Sequence, residues 1–224
     1  MPLVMGVPAL SIGLGLLGLC CAIVFGLREQ RLHPLWARAG IKAGAVGSLA
    51  AALVAAGGGG LLVAALLLSA LGDFLLALER KLAFALGMAA FLTAHICYIL
   101  LFAGLQGVPL EPMWPRLIVA ALLFVGGVLL VLWLWRDLGF DRLTVPIYAL
   151  ALIGMATTVW FAPWAAWPAM IGALLFVFSD AVLAGQKFRA DPTDLPPMLR
   201  GHGLVWATYV LAQGLLVTGA LLAS

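Results

Sequence analysis

The chain alternates long apolar runs with short polar breaks. The runs cover residues 7–27, 40–56, 61–78, 82–104, 116–135, 143–161, 166–185 and 201–222. Each approaches the about 20 apolar residues that carry an α-helix across the hydrocarbon core of a bilayer. They are continuous and rich in Leu, Ala and Gly, unlike the short alternating segments of an outer-membrane barrel. The expected fold is an all-α membrane protein with eight transmembrane helices, residues 1–224 forming a single integral membrane domain. The breaks carry turn residues: Gly57 to Gly60 before the third helix, Pro109, Pro112 and Pro115 before the fifth, Pro163 and Pro168 before the seventh, and Pro192, Pro196 and Pro197 before the eighth. The first run sits where a signal peptide would. It lacks a basic start and is too long for the apolar part of one, so it is expected to stay as the first helix.

Composition agrees with this pattern. Apolar residues make up 65% of the chain and charged residues 9%, and the mean hydropathy is +1.18. A soluble domain carries roughly a quarter charged residues. The net charge of +3 does not point to nucleic acid, because the basic residues are scattered over short loops. They instead read as topology signals. Arg28, Arg31, Arg38, Arg80, Lys81, Arg136, Arg142, Lys187, Arg189 and Arg200 fall in the odd-numbered loops, and Lys42 belongs to the same side. Only Arg116, of the 12 Lys and Arg, falls opposite. The basic side is cytoplasmic by the positive-inside rule, which puts both termini on the other side. Cys20, Cys21 and Cys97 all lie within apolar runs with no CxxC spacing, and are expected to act as small packing residues.

The chain also repeats itself. Leu67 to Leu78 reads LLSALGDFLLAL and Leu174 to Gly185 reads LLFVFSDAVLAG. Four helices separate the two segments, so both run in the same direction. This suggests two parallel four-helix halves, a construction known in membrane proteins.

Few ionisable groups lie inside the runs, and each is costly there. Asp73 and Asp180 occupy matched places in the third and seventh helices, about 7 Å inside the cytoplasmic end by helical rise. Two such carboxyls could face one cavity and divide into an acid and a base. They could equally be helix-end aspartates paired with Arg80 and Lys187. His95 and Tyr98 share a face of the fourth helix, and Tyr209 and Gln213 a face of the eighth. Each pair could line a site or bond neighbouring helices. Lys42 could receive a phosphate or snorkel to the membrane surface. The tryptophans Trp114, Trp133, Trp135, Trp160, Trp164 and Trp167 lie near helix ends, as an aromatic belt does. The four-glycine run has neither a strand before it nor a GK[ST] after it, so it is no phosphate loop. Asp73, Asp180, His95 and His202 form the one zinc-ligand set that can be assembled on paper, and no HxxxH pairing supports it.

The segments SALGDFLLAL, FALGMAAFLTAHICYI, GALLFVFSDAVLA and ATYVLAQGLL, in this order, resemble the successive signatures of the YhhN, or lysoplasmalogenase, family over most of the chain. The resemblance implies a small multi-helix membrane protein that hydrolyses the vinyl-ether bond of lysoplasmalogens, giving a fatty aldehyde and a glycerophospho-alcohol. It carries the family's two aspartates onto Asp73 and Asp180, the fourth-helix motif onto His95 and Tyr98, and the last-helix motif onto Tyr209, Ala212 and Gln213. The family's lysine at the start of the second helix falls on Lys42. Here Ala43 and Gly44 follow it in place of proline and leucine, so that motif is only partly kept.

Protonation of the alkenyl carbon would give an oxocarbenium ion, much as in glycoside hydrolysis, where one carboxylic acid donates a proton and a carboxylate stabilises charge or activates water. The expectation is therefore a hydrolase using Asp73 and Asp180, without a metal or other cofactor, acting on a lysophospholipid from the bilayer. A bacterial host would place it in the inner membrane. The competing readings are a transporter that uses the same acids for proton coupling, a metal-dependent membrane hydrolase with Asp73, Asp180, His95 and His202 as zinc ligands, and a purely structural membrane protein.

Overall fold

The computed structural model describes residues 9–105, 113–189, 191 and 195–224. The first two residues of the run 7–27, and the turn residues Pro109, Pro112 and Pro192, lie outside this set. Among the described residues there are eight α-helices and no strand. They are α1 (Ala9–Arg28), α2 (Leu35–Ala55), α3 (Gly60–Leu76), α4 (Lys81–Gly104), α5 (Met113–Leu134), α6 (Thr144–Trp160), α7 (Trp167–Phe188) and α8 (His202–Ala223). Each apolar run overlaps one of these eight helices.

Six of the helical segments are long and apolar enough to cross a membrane: α1, α2, α4, α5, α7 with its preceding turn, and α8. The chain is an integral, multi-pass membrane protein. The other two, α3 and α6, are apolar but have 17 residues each.

The helix ends differ from the runs where polar side chains find partners. α2 begins at Leu35, directly after Pro34, and so takes in Arg38 and Lys42. A proline is well placed beside a first turn, where its missing N–H costs nothing. α3 stops at Leu76, and the chain turns through Glu79, whose φ of 55° is left-handed. α7 continues to Phe188, where Gln186 Nε2 donates to the carbonyl of Leu199 at 2.6 Å. Asp73 is thus three residues from the end of α3, and Asp180 is eight residues from the end of α7. The equal spacing expected from the runs does not hold. A run of apolar letters ends at the first charge, whereas a helix continues as long as its polar side chains are satisfied.

The helices form two compact units that meet within α4, one ending at Cys97 and the other starting at Tyr98. In the first, α1 packs on α2 and α2 on α3. Gly18 allows the α1–α2 approach, since a Cβ there would lie 2.8 Å from the carbonyl oxygen of Ala45. Ala39, Val46 and Ala50 of α2 and Ala65 and Leu66 of α3 are buried. In the second unit, α5 packs on α6, α6 on α7 and α7 on α8. A Cβ on Gly219 of α8 would lie 2.4 Å from the backbone nitrogen of Ala169 in α7. Such small-residue seams bring backbones together in lipid, where no hydrophobic force drives helices together. Phe102, Met155, Phe176 and Leu216 fill the interior of this unit.

The surface is apolar, with Leu16, Leu122, Leu129 and Leu150 all more than half exposed. That suits a lipid solvent. Arg116, the outlier among the basic residues, is fully buried. Its Nη1 donates to the carbonyls of Trp160 and Ala162 at 2.6 and 2.5 Å, and its guanidinium lies 4.3 Å from the centre of the Trp164 ring. It caps the C-terminal end of α6, where carbonyls are left over and a cation is favoured.

Candidate functional site

In the first unit, α3 presents Asp73 from its last turn. The preceding residue sets the local packing: a Cβ on Gly72 would sit 2.5 Å from Cδ2 of Phe91. Gly72 therefore lets the Phe91 ring of α4 lie against the backbone beside the carboxyl. Asp73 is only 2% exposed. Its Oδ1 is 3.4 Å from Nζ of Lys42, which reaches over from α2 and also lies 5.7 Å from the centre of the Phe25 ring. One turn earlier on α2, Arg38 forms an ion pair with Glu79, and its Nη2 donates to the carbonyl of Ala77 at 3.2 Å. Two cations four residues apart on α2 thus bind the C-terminal end of α3. Ser69 is fully buried one turn before Asp73, and its hydroxyl has no hydrogen-bond partner among the described residues. His95 is fully buried on α4, one turn beyond Phe91.

In the second unit, Asp180 lies on α7 and is half-buried. The hydroxyl of Tyr148, on α6, donates to its Oδ2 at 2.5 Å. Beside it, the hydroxyl of Ser179 donates to the carbonyl of Val205 in α8 at 2.9 Å. Adjacent residues of α7 are therefore tied to different helices. Farther along, Tyr98 donates to Oε1 of Gln213 at 2.6 Å, and Nε2 of Gln213 donates to the hydroxyl of Tyr209 at 3.3 Å. All three side chains are buried. The ring of Tyr209 also meets Phe176 edge to face, with centroids 5.4 Å apart. This chain of bonds joins α4 to α8.

The residues singled out from sequence thus fall into three groups. Lys42 and Asp73 come together, as do Tyr98, Tyr209 and Gln213. Asp180 is joined by Tyr148, which sequence reasoning missed. His202 is exposed at the first residue of α8. Among the described residues, no three His, Cys, Asp or Glu side chains are placed to hold a metal ion. Cys20, Cys21 and Cys97 are free thiols.

Chemically, a carboxyl group held by a phenol and half open to its surroundings can exchange a proton. A carboxylate on an ammonium group in a closed setting makes a fixed charge pair. An apolar groove of about 310 Å³ opens between α5 and α6, lined by residues such as Phe124, Val131, Trp135, Pro146 and Ile153. It has the chemistry a hydrocarbon chain requires.

A family model, the YhhN family, matches residues 37–220. A lysoplasmalogenase of Mycobacterium bovis is 35% identical over 157 residues, covering 68% of this chain and 57% of that protein. Lysoplasmalogenase TMEM86B of Homo sapiens is 36% identical over 154 residues, 68% of this chain and 60% of the human protein. Lysoplasmalogenase TMEM86B of Sus scrofa is 38% identical over 200 residues, 88% of this chain and 80% of the pig protein. The chain spans less than two thirds of the length of the mycobacterial and human relatives. No solved structure matches it significantly.

Proposed function

The chain belongs to the YhhN family, and on that premise we propose that it hydrolyses the vinyl-ether bond of lysoplasmalogens. The observation that carries this reading is the likeness, at 35–38% identity, to proteins named lysoplasmalogenase. The family match includes Lys42, Asp73, His95, Tyr98, Asp180, Tyr209 and Gln213.

The chemistry asks for a proton donor in an apolar setting. A carboxylic acid gives its proton to the alkenyl carbon next to the ether-bearing carbon. The resulting oxocarbenium ion takes up water and releases a proton, forming a hemiacetal. The hemiacetal collapses to a fatty aldehyde and a glycerophospho-alcohol. One water is consumed and the catalytic proton is restored. Asp73 and Asp180 are the carboxyl groups proposed for the acid and carboxylate roles, and general acid–base help of this kind contributes about a hundred- to ten-thousand-fold. His95 in the first unit and Tyr98, Tyr209 and Gln213 in the second are proposed as supporting buried polar groups. Lys42 acts through its ion pair with Asp73, which leaves the phosphate of the substrate to the exposed Arg80 and Lys81.

The same reading holds that α3 and α6 also cross the bilayer. At 1.5 Å per residue, 17 residues reach about 25 Å, near the lower limit for a span. Eight crossings put the basic loops in the cytoplasm and both termini outside it, in the inner membrane of a bacterium. The proposed four-helix repeat has support in the placement of the acids. Asp73 of the third helix meets Lys42 of the second, and Asp180 of the seventh meets Tyr148 of the sixth.

The test is aldehyde release from alkenyl-glycerophosphoethanolamine by the purified protein in lipid nanodiscs. The expected result is stoichiometric aldehyde and glycerophosphoethanolamine, with release lowered at least a hundred-fold in Asp180→Asn. A folded wild type that releases no aldehyde from this lipid or its choline analogue sinks the proposal.

A further inference from the structure

We infer that Tyr148 is the positioning residue of Asp180, holding the carboxyl in one orientation and stabilising the carboxylate left when the proton departs. This rests on the hydrolase reading above for its kinetic consequence and on geometry for the pairing itself.

The backbone that carries Asp180 is fixed from the α8 side. A Cβ on Gly172 would lie 2.8 Å from the carbonyl oxygen of Ala212, so the two helices touch at backbone distance. Ser179 adds its bond to Val205, and Phe176 packs on Tyr209. None of these contacts controls the two side-chain torsions of Asp180. Tyr148 does so from the other neighbouring helix, through the 2.5 Å bond to Oδ2. Its own place is secure: Val145, Leu152 and Met155, which share the inward stripe of α6 with it, are all buried. A rigid phenol on a packed helix face is a fixed donor, and a fixed donor removes orientational freedom from a reacting group.

The pairing also has a direction. A hydrogen bond from a phenol to a carboxylate is stronger than one to a neutral acid, because the acceptor is charged. When Asp180 passes its proton to the alkenyl carbon, the bond from Tyr148 therefore tightens while the phenol keeps its own proton. An interaction that is stronger in the transition state than in the ground state raises kcat and leaves substrate binding alone. Asp180 is accordingly the acid of the pair of aspartates.

The experiment compares Tyr148→Phe in the wild-type and Asp180→Asn backgrounds, in nanodiscs. In the wild-type background kcat for aldehyde release is expected to fall about ten- to a hundred-fold, as loss of a charge-assisted bond does, with KM within about twofold. In the Asp180→Asn background, Tyr148→Phe is expected to cause no further loss. An unchanged kcat, a rise in KM alone, or the same fold-loss in both backgrounds overturns the inference. Infrared spectroscopy tests the pairing without any substrate. The carboxyl or carboxylate band that disappears in Asp180→Asn is expected to shift in Tyr148→Phe, and an unmoved band overturns the pairing whether or not aldehyde is made. If Tyr148→Phe does not fold, 3-fluorotyrosine at position 148 keeps the fold and changes the donor, and the same band must then move. A wild type without aldehyde release but with the shifted band sinks the substrate assignment and leaves the pairing standing.

Discussion

Asp73 and Asp180 begin alike and end differently. Each lies in an apolar helix after a small residue, Gly72 or Ser179, and each meets a side chain from the preceding helix. Asp73 is 2% exposed and paired with the ammonium of Lys42, while Asp180 is half-buried and bonded by the phenol of Tyr148. The first arrangement neutralises a charge in a closed pocket. The second sets a half-buried carboxyl against a phenol, the arrangement assigned above to the proton donor. Two aspartates that look like duplicates in the sequence thus differ in burial and in the partner that the preceding helix supplies.

The largest expected effect separates them by activity. Asp180→Asn should lower aldehyde release at least a hundred-fold while the thermal midpoint in detergent moves little; retained turnover would remove Asp180 from the chemistry. Next comes stability in the first unit. Lys42→Met strands a buried carboxylate and should cost about 2–3 kcal/mol, at the low end for a broken buried pair because the lysine is partly exposed. Adding Asp73→Asn should recover most of that loss, and a double variant no more stable than Lys42→Met would show that the ion pair is not what the lysine supplies. Gly72→Ala should cost about 1–3 kcal/mol by overpacking against Phe91, with Phe91→Leu restoring part of it; full stability in Gly72→Ala alone would contradict the close approach. The smallest effect is expected for Tyr98→Phe, about 0.6 kcal/mol, typical of one interhelical hydrogen bond in a membrane. A loss several times larger in the unfolding midpoint would make the Tyr98–Gln213–Tyr209 chain a cooperative unit.

Much of this was legible in the letters. Each apolar run overlapped one of the eight helices among the described residues, because in lipid a long continuous apolar segment pairs its backbone groups within itself as a helix. The costly side chains Asp73, Asp180, His95 and Gln213 stood out for the same reason. Partners were less visible. Arg38 was read as a topology charge and Lys42 also as a phosphate-binding or snorkelling residue; that they pair with Glu79 and Asp73 across a helix pair was not visible. Arg116 looked like the stray charge of its side and proves to be a buried cap on α6. Tyr148 went unnoticed because its neighbours in YALAL are apolar and its partner is 32 residues away. A signal was available. The chain has 3 tyrosines, all within helices, and each of the three makes a side-chain hydrogen bond.

The pairing of each aspartate with the helix just before it also bears on how the protein is made. Chains enter the bilayer from the N-terminus onward, so Lys42 is already at the translocon when Asp73 arrives, and Tyr148 when Asp180 arrives. Each acid can be handed into lipid as half of a hairpin, with its partner only 31 or 32 positions upstream. A polar group that must wait alone in hydrocarbon is an invitation to slip back out or be degraded. If α3 and α6 cross the bilayer as proposed above, the wait lasts no longer than the synthesis of one helical hairpin, and α2–α3 and α6–α7 become the natural units of insertion.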